Sequence, residues 1–150
     1  MSELKELAAE AKHELLTHII PFWRGMRDDK FGGYYGYLSY DLALDEKAEK
    51  GCILNSRITW FFANAYLLYK DGGISEEECE AAGFKGEDLL AEAKHGYEFL
   101  REHCIDKEYG GIFWSLNYDG TPLDTTKHTY NQAFCIYALS SYYDLSLIHI

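Results

Sequence analysis

Arg57 is the most conspicuous chemical group in the sequence. It is the lone charge in the run Ser56-Arg57-Ile58-Thr59-Trp60-Phe61, at the opening of an otherwise apolar segment. A guanidinium presents five N–H donors in a fixed fork, so a lone one here is either a donor kept for a ligand or an arginine that caps a helix or pairs with an acidic neighbour. The histidines fit a two-base proton transfer poorly, since that needs a facing pair titrating near neutral pH. His13 and His95 occupy equivalent places beside charged residues, and His18 and His103 lie near helix ends, so solvated or capping roles are expected. His128 stands alone where two would be needed. The carboxylates Asp41, Asp45, Asp119 and Asp124 fall on loops, where a glycosidase could use two. Their repetition in both halves of the chain points instead to side chains that close turns.

Cys52, Cys79, Cys104 and Cys135 are widely spaced without a C-x-x-C pair, which predicts buried free thiols and neither a disulfide framework nor a metal site. The acidic cluster Glu76 to Glu78 with Glu80 reads as a solvated face. A net charge of −11 over 150 residues excludes a nucleic-acid binder, which must neutralise phosphates, and a protein of anionic membrane surfaces. The first residues are charged and amphipathic, unlike a signal peptide, and Trp60 to Leu68 is far short of a membrane span. A soluble, cytoplasmic protein is expected.

The elements that must hold these groups repeat. Ala-Glu-Ala-Lys-His occurs at residues 9–13 and again at 91–95. A Gly-Gly-aromatic block follows each copy, Gly32 to Asp41 and Gly110 to Asp119, and Gly32 maps onto Gly110 and Tyr40 onto Tyr118 at one offset of 78 residues. An apolar run then follows, from Ser56 and from His128. Leu4, Leu7, Ala8, Ala11, Leu15, Ile19 and Phe22 have helical spacing, as do Leu89, Ala93, Tyr97, Leu100 and Cys104, predicting outer helices that bury one stripe. The runs containing Ile58 to Leu68 and Phe134 to Leu139 are apolar all round and predict inner helices. Tyr34, Tyr35 and Tyr37, like Ile112, Phe113 and Trp114, predict short strands, with Asp119-Gly120 as a hairpin turn. Ser75 followed by Glu78 is a capping box for one exposed helix.

Outer helices alternating with inner ones define an all-α architecture, the double-layered α/α barrel. Two hairpins cannot close such a ring, so residues 1–143 are expected to be a partial barrel domain that is molten or aggregating alone. Residues 144–150 fit neither unit and read as a non-native, read-through tail, which discounts His149.

Several segments resemble the N-acylglucosamine 2-epimerase family, and within it the cellobiose 2-epimerases. They are His18 to Trp23, Gly32 to Asp41, Ile53 to Phe61, His103 to Trp114 and Lys127 to Phe134. The resemblance covers residues 3 to 143 and implies a barrel of six helical hairpins. It also implies inversion at C2 of the reducing-end glucose of a disaccharide, giving mannose, with no external cofactor and no metal. Arg57 then becomes the oxyanion and substrate-positioning group, and Trp114 matches a position lining the sugar pocket. Tyr130, Asn131 and Gln132 enter the second inner helix at the place taken as equivalent to Arg57 and are candidate sugar contacts, ahead of Tyr35 and Tyr37. The catalytic histidine pair is implied to lie beyond residue 150, which predicts an inactive chain. Rival readings are an N-acylglucosamine or mannose epimerase of the same family and a non-catalytic sugar-binding fragment.

Overall fold

Acidic residues open the first helix and basic residues close it, as the helix dipole favours. In the computed structural model, which describes residues 3–147, α1 (Glu3–Glu14) has Glu3 and Glu6 in its first turn and Lys12 and His13 in its last. A π-helical turn at Leu15–Ile19 leads into α2 (Ile20–Gly25), with Pro21 in its first turn, where no N–H is needed. No residue of the predicted apolar stripe is fully buried. Leu16 and Ile20, one position on from Leu15 and Ile19, enter the core instead, whereas α1 buries nothing and Leu4 and Leu7 are 77% and 61% exposed. No described element covers them.

The inner helix α3 (Cys52–Lys70) packs against both other long helices, α5 (Gly86–Phe99) and α6 (Thr129–Leu147). Asn55, Ser56, Ile58, Thr59, Phe62, Ala63 and Tyr66 face inward and are buried. Ser56 and Thr59 hydroxyls donate to the carbonyls of Cys52 and Asn55, so their burial leaves no donor unmade. The opposite stripe, Ile53, Arg57, Trp60, Asn64 and Leu68, stays open. On α5 the predicted stripe is buried at Leu89 and Ala93, and it continues through a second π-helical turn (Leu100–Cys104).

Two apolar clusters result. One gathers Tyr34, Phe62, Tyr66, Ile74, Cys79 and Leu89. The other joins the two repeats through Cys52, Phe99, Cys104, Ile112 and Cys135. All four cysteines are free and buried, and burial first, then nearby charge, pushes the Cys79 and Cys135 thiols up to about 11. The capping box forms at the start of α4 (Glu76–Ala81), with Glu78 N donating to Ser75 Oγ and Ser75 N to Glu78 Oε2. That helix is less exposed than its charges suggest, because Cys79 is fully buried beneath it and Lys12 pairs with Glu78 at 2.7 Å.

The chain also stays in the fold past Tyr143. The spacing that buries Cys135 and Ala138 continues through Tyr142 to Leu145, which is 1% exposed in the first cluster, and α6 runs to Leu147. Only Ile148, His149 and Ile150 of the predicted tail lie outside the described residues.

The Gly-Gly blocks depart most from expectation. Tyr34 and Ile112 form isolated bridges with Arg27 and Ile105 rather than strands. The strands are β1 (Lys50–Gly51), β2 (Ser115–Leu116) and β3 (Pro122–Asp124), antiparallel in that order, with Lys50 opposite Leu116 and Leu116 opposite Pro122. The glycine pairs explain the change. Gly32 and Gly33 have φ of 79° and 66°, and Gly110 and Gly111 both have 74°, a left-handed run no strand continues through.

Side chains replace the missing strand partners, and they do so twice in the same way. Asp28 Oδ1 accepts from the amides of Lys30 and Phe31, while its Oδ2 accepts from Lys50 Nζ at 2.6 Å, and that ammonium also donates to Gly32 O at 2.7 Å. Asp106 accepts from Glu108, Tyr109 and Lys127 in the same way, and Lys127 donates to Gly110 O at 2.7 Å. An amide side chain five residues after each lysine completes the clasp. Asn55 Oδ1 accepts from Tyr34 N, and Gln132 accepts from Ile112 N and donates to Ile112 O.

The two clasps differ in burial. Lys50 and Asp28 side chains are 0% and 1% exposed, against 32% and 12% for Lys127 and Asp106. Removing one member of a sealed pair strands the other charge, so Lys50→Met is expected to cost about 3 kcal/mol or more. Lys127→Met is expected to cost within about 1 kcal/mol, and equal losses in chemical denaturation would contradict this picture.

The acid limb follows from the same groups. Burial pushes the Asp28 carboxyl up, but hydrogen bonds from Lys50 and two amides outweigh it and hold it below the carboxylate range. The bond from Lys127, then the Tyr109 amide, brings Asp106 down to about 2. Both folded values are depressed, so the stability they supply is whole above about pH 4 and lost as pH falls towards about 2. A denaturation midpoint that stays flat across that interval would rule it out.

Leu42 holds φ of 62° at the turn position where the second repeat has Gly120 at 86°. Leu42→Gly is expected to raise the melting temperature by about 2–4 °C, as roughly 1 kcal/mol of left-handed strain is relieved.

Candidate functional site

The open stripe of α3 begins one turn past the first clasp, so the clasp that fixes Gly32 and β1 also fixes where Arg57 emerges. Arg57 is exposed, with its guanidinium carbon 5.6 Å from the centre of the Phe134 ring on α6. The other three arginines each pair with a carboxylate: Arg24 with Asp88, Arg27 with Asp29 and Glu92, and Arg101 with Glu102. Arg57 has no hydrogen bond or ion pair among the described residues, so its donors are held over an aromatic face and left unspent. Neither helix capping nor an acidic neighbour accounts for it.

The clasps correct the alignment of the repeats. Lys50 and Asn55 correspond to Lys127 and Gln132 at an offset of 77 residues, which places Phe134, and not residues 130–132, at the position equivalent to Arg57. Trp60 likewise corresponds to Tyr137, and these two rings stack at 5.0 Å. The inner helices thus lie side by side in register, with equivalent residues touching.

Of the five residues singled out from sequence, three face the open side. Arg57 lines a cleft of about 260 Å³ with Trp23, Leu54, Trp60 and Phe61. Tyr130 is exposed and meets Phe134 edge-on at 4.9 Å, which places it next to the ring that carries Arg57. Trp114 is half-buried against His128 at 4.6 Å and walls a separate cleft of about 490 Å³. The two clefts share Leu54. Asn131 and Gln132 do not face either one. Asn131 is fully buried and donates to Phe113 O at 2.5 Å, with its Oδ1 unpartnered, and Gln132 is committed to the backbone of Ile112. An amide entering a helix has the same appearance in sequence whether it bonds a sugar or a backbone. The lysine spacing was the signal that separates the two.

The remaining polar candidates also have structural partners. His95 Nε2 lies 2.8 Å from Gly33 O, His103 Nδ1 lies 3.2 Å from Gly120 O, and His18 pairs with Glu14. Asp45, Asp119 and Asp124 accept from backbone amides two residues on, and Asp41 accepts from Ser39, as turn-closing carboxylates do. Glu49 and Phe134 are lining or supporting residues that the sequence alone did not single out.

Alternating outer and inner helices joined by clasped ribbons, with an inner face left open, define a segment of an α/α barrel. The chain belongs to the N-acylglucosamine 2-epimerase (GlcNAc 2-epimerase) family, whose sequence model matches residues 33–146. It is 53% identical over 140 residues to a cellobiose 2-epimerase of Ruminococcus albus, covering 93% of this chain and 32% of that protein. It is 54% identical over 131 residues to one of Eubacterium cellulosolvens, covering 87% and 29%. The solved cellobiose 2-epimerase of Bacillus thermoamylovorans superposes with a TM-score of 0.81 at 40% identity, over 93% of this chain and 32% of that one. The chain therefore spans about a third of the length of the relatives it matches.

Proposed function

We propose that this chain forms the arginine-bearing part of a sugar 2-epimerase site that converts the reducing-end glucose of a cellobiose-type β-1,4 disaccharide to mannose. The observation that carries the reading is Arg57, the one arginine without a carboxylate among the described residues, held over Phe134 in an aromatic cleft. Its likeness to cellobiose 2-epimerases over nine-tenths of the chain supports the substrate class.

The reaction must break an unactivated C–H bond. Opening the reducing-end ring exposes the C1 aldehyde and acidifies the proton on C2. One base removes that proton while the C1 oxygen gains negative charge, giving an enediolate. An acid on the other face returns a proton to C2, the C1 carbonyl re-forms, and the configuration is inverted with no net change in atoms. Arg57 donates its fork to the charged oxygen, and a donor already in place stabilises that charge more than water does. The acid and base belong to histidines beyond residue 150, since those within the described chain are spent on Gly33, Gly120 and Glu14 or stand alone. The chain alone is therefore inactive.

The test is a full-length enzyme in which this chain replaces the matched 140 residues of the Ruminococcus albus relative. Run in D2O with cellobiose, it is expected to give a disaccharide with mannose at its reducing end and deuterium at C2. Arg57→Lys and Arg57→Ala are expected to lower turnover by at least about tenfold. Near-normal rates would remove Arg57 from the mechanism. A better rate on N-acetylglucosamine or free mannose would redirect the substrate assignment within the family.

A further inference from the structure

Three of the four arginines lie over an aromatic ring, each with its guanidinium carbon 5.6 Å from the ring centre: Arg24 over Phe84, Arg101 over Tyr97 and Arg57 over Phe134. Arg24 and Arg101 hold a carboxylate as well, Asp88 and Glu102. A ring contact therefore does not by itself keep acids away. At Arg57 the surroundings do, because Trp23, Leu54, Ile58, Trp60 and Phe61 complete its cleft and none of them is acidic. The Phe134 ring is left as the described group that meets the charge.

We propose that Phe134 is a positioning residue of the epimerisation site, holding Arg57 by the face of its ring while leaving the five N–H donors for the substrate oxygen. This rests on the assignment of Arg57 as the donor to the enediolate oxygen. A ring attracts a cation through its quadrupole and offers no oxygen to the guanidinium fork. A carboxylate would hold the same cation more strongly, but by accepting its N–H groups in pairs. An arginine held that way meets a developing oxyanion with its donors taken and its charge offset. With nothing to hold it, a long side chain on an open face samples many rotamers, and most of them miss the reacting oxygen.

The ring is itself held. On α6, Tyr130 meets Phe134 at 4.9 Å and 70°, and Tyr137 meets it at 6.4 Å and 89°, so edge-on contacts flank it at the helical spacings of four and three residues. Tyr137 in turn stacks on Trp60 of α3 at 5.0 Å, and Trp60 lies three residues after Arg57 on the same helix. The contacts run from Arg57 to Phe134, along α6 to Tyr137, across to Trp60 and back along α3. A closed circuit of four side chains on two packed helices leaves the guanidinium little room to drift.

The test uses the full-length enzyme that carries this chain in place of the matched residues of the Ruminococcus albus relative. Phe134→Leu is expected to lower kcat on cellobiose by about fivefold or more. KM is expected to stay within about twofold, because the charge that Arg57 meets develops only in the transition state. Phe134→Tyr keeps the ring and is expected to stay within about twofold of the parent kcat. Phe134→Glu gives the fork an acceptor and is expected to fall below Phe134→Leu. The deciding comparison is Phe134→Leu made together with Arg57→Ala, where a ring that acts through the guanidinium has nothing left to hold and costs no further activity. An equal loss with and without Arg57 would make Phe134 a packing residue and overturn the assignment, as would a parental kcat in Phe134→Leu. Loss in Arg57→Ala but not in Phe134→Leu removes only the role of the ring, whereas parental turnover in Arg57→Ala removes the epimerase role of Arg57 and this one with it.

Discussion

A left-handed glycine pair leaves amides and carbonyls pointing where no neighbouring strand can reach them, and the fold depends on how those groups are met. In each repeat one lysine spans an aspartate and a glycine carbonyl, while an amide side chain from the following helix takes the next residue's backbone. The clasp joins the end of an outer helix to the start of the inner helix that follows, across a gap of some twenty residues. Buried backbone groups must be paired, so the clasp is a requirement of the turn and not an addition to it. Everything placed on the open face, Arg57 included, inherits its position from it.

Much of this was legible in the sequence. The two repeats, the outer and inner helices, the capping box at Ser75 and the lone charge at Arg57 follow from periodicity and residue type alone. The clasps were not, because Lys50 and Lys127 lie 22 and 21 residues from their aspartates and no local pattern links them. That omission displaced the alignment of the inner helices and sent attention to Asn131 and Gln132, whose polar ends the backbone consumes. The packing of Leu145 is hard to see in sequence for a related reason. Polar Asp144 and Ser146 obscure the interval that carries Leu145 into the core. The first outer helix buries Leu16 and Ile20 and not the stripe through Leu15 and Ile19, and Leu4 and Leu7 stay exposed, since helical spacing says which residues share a face and not what covers it.

The open side has a consistent chemistry. Aromatic rings from α2 and both inner helices surround a guanidinium that has no ion pair among the described residues, and two carboxylates line the neighbouring cleft. Opposite charges are thereby separated on a single surface. Among the described residues no carboxylate neutralises the arginine.

The register of the inner helices couples the repeats. Arg57 lies over Phe134 and Trp60 stacks on Tyr137, so at these two positions each residue has its own counterpart as a neighbour. Residues in contact do not change independently in their energetic effects. A substitution at position 57 therefore alters the environment of position 134, and the reverse. The two copies are energetically coupled across the seam, and the ring at one address is the platform for the guanidinium at the other.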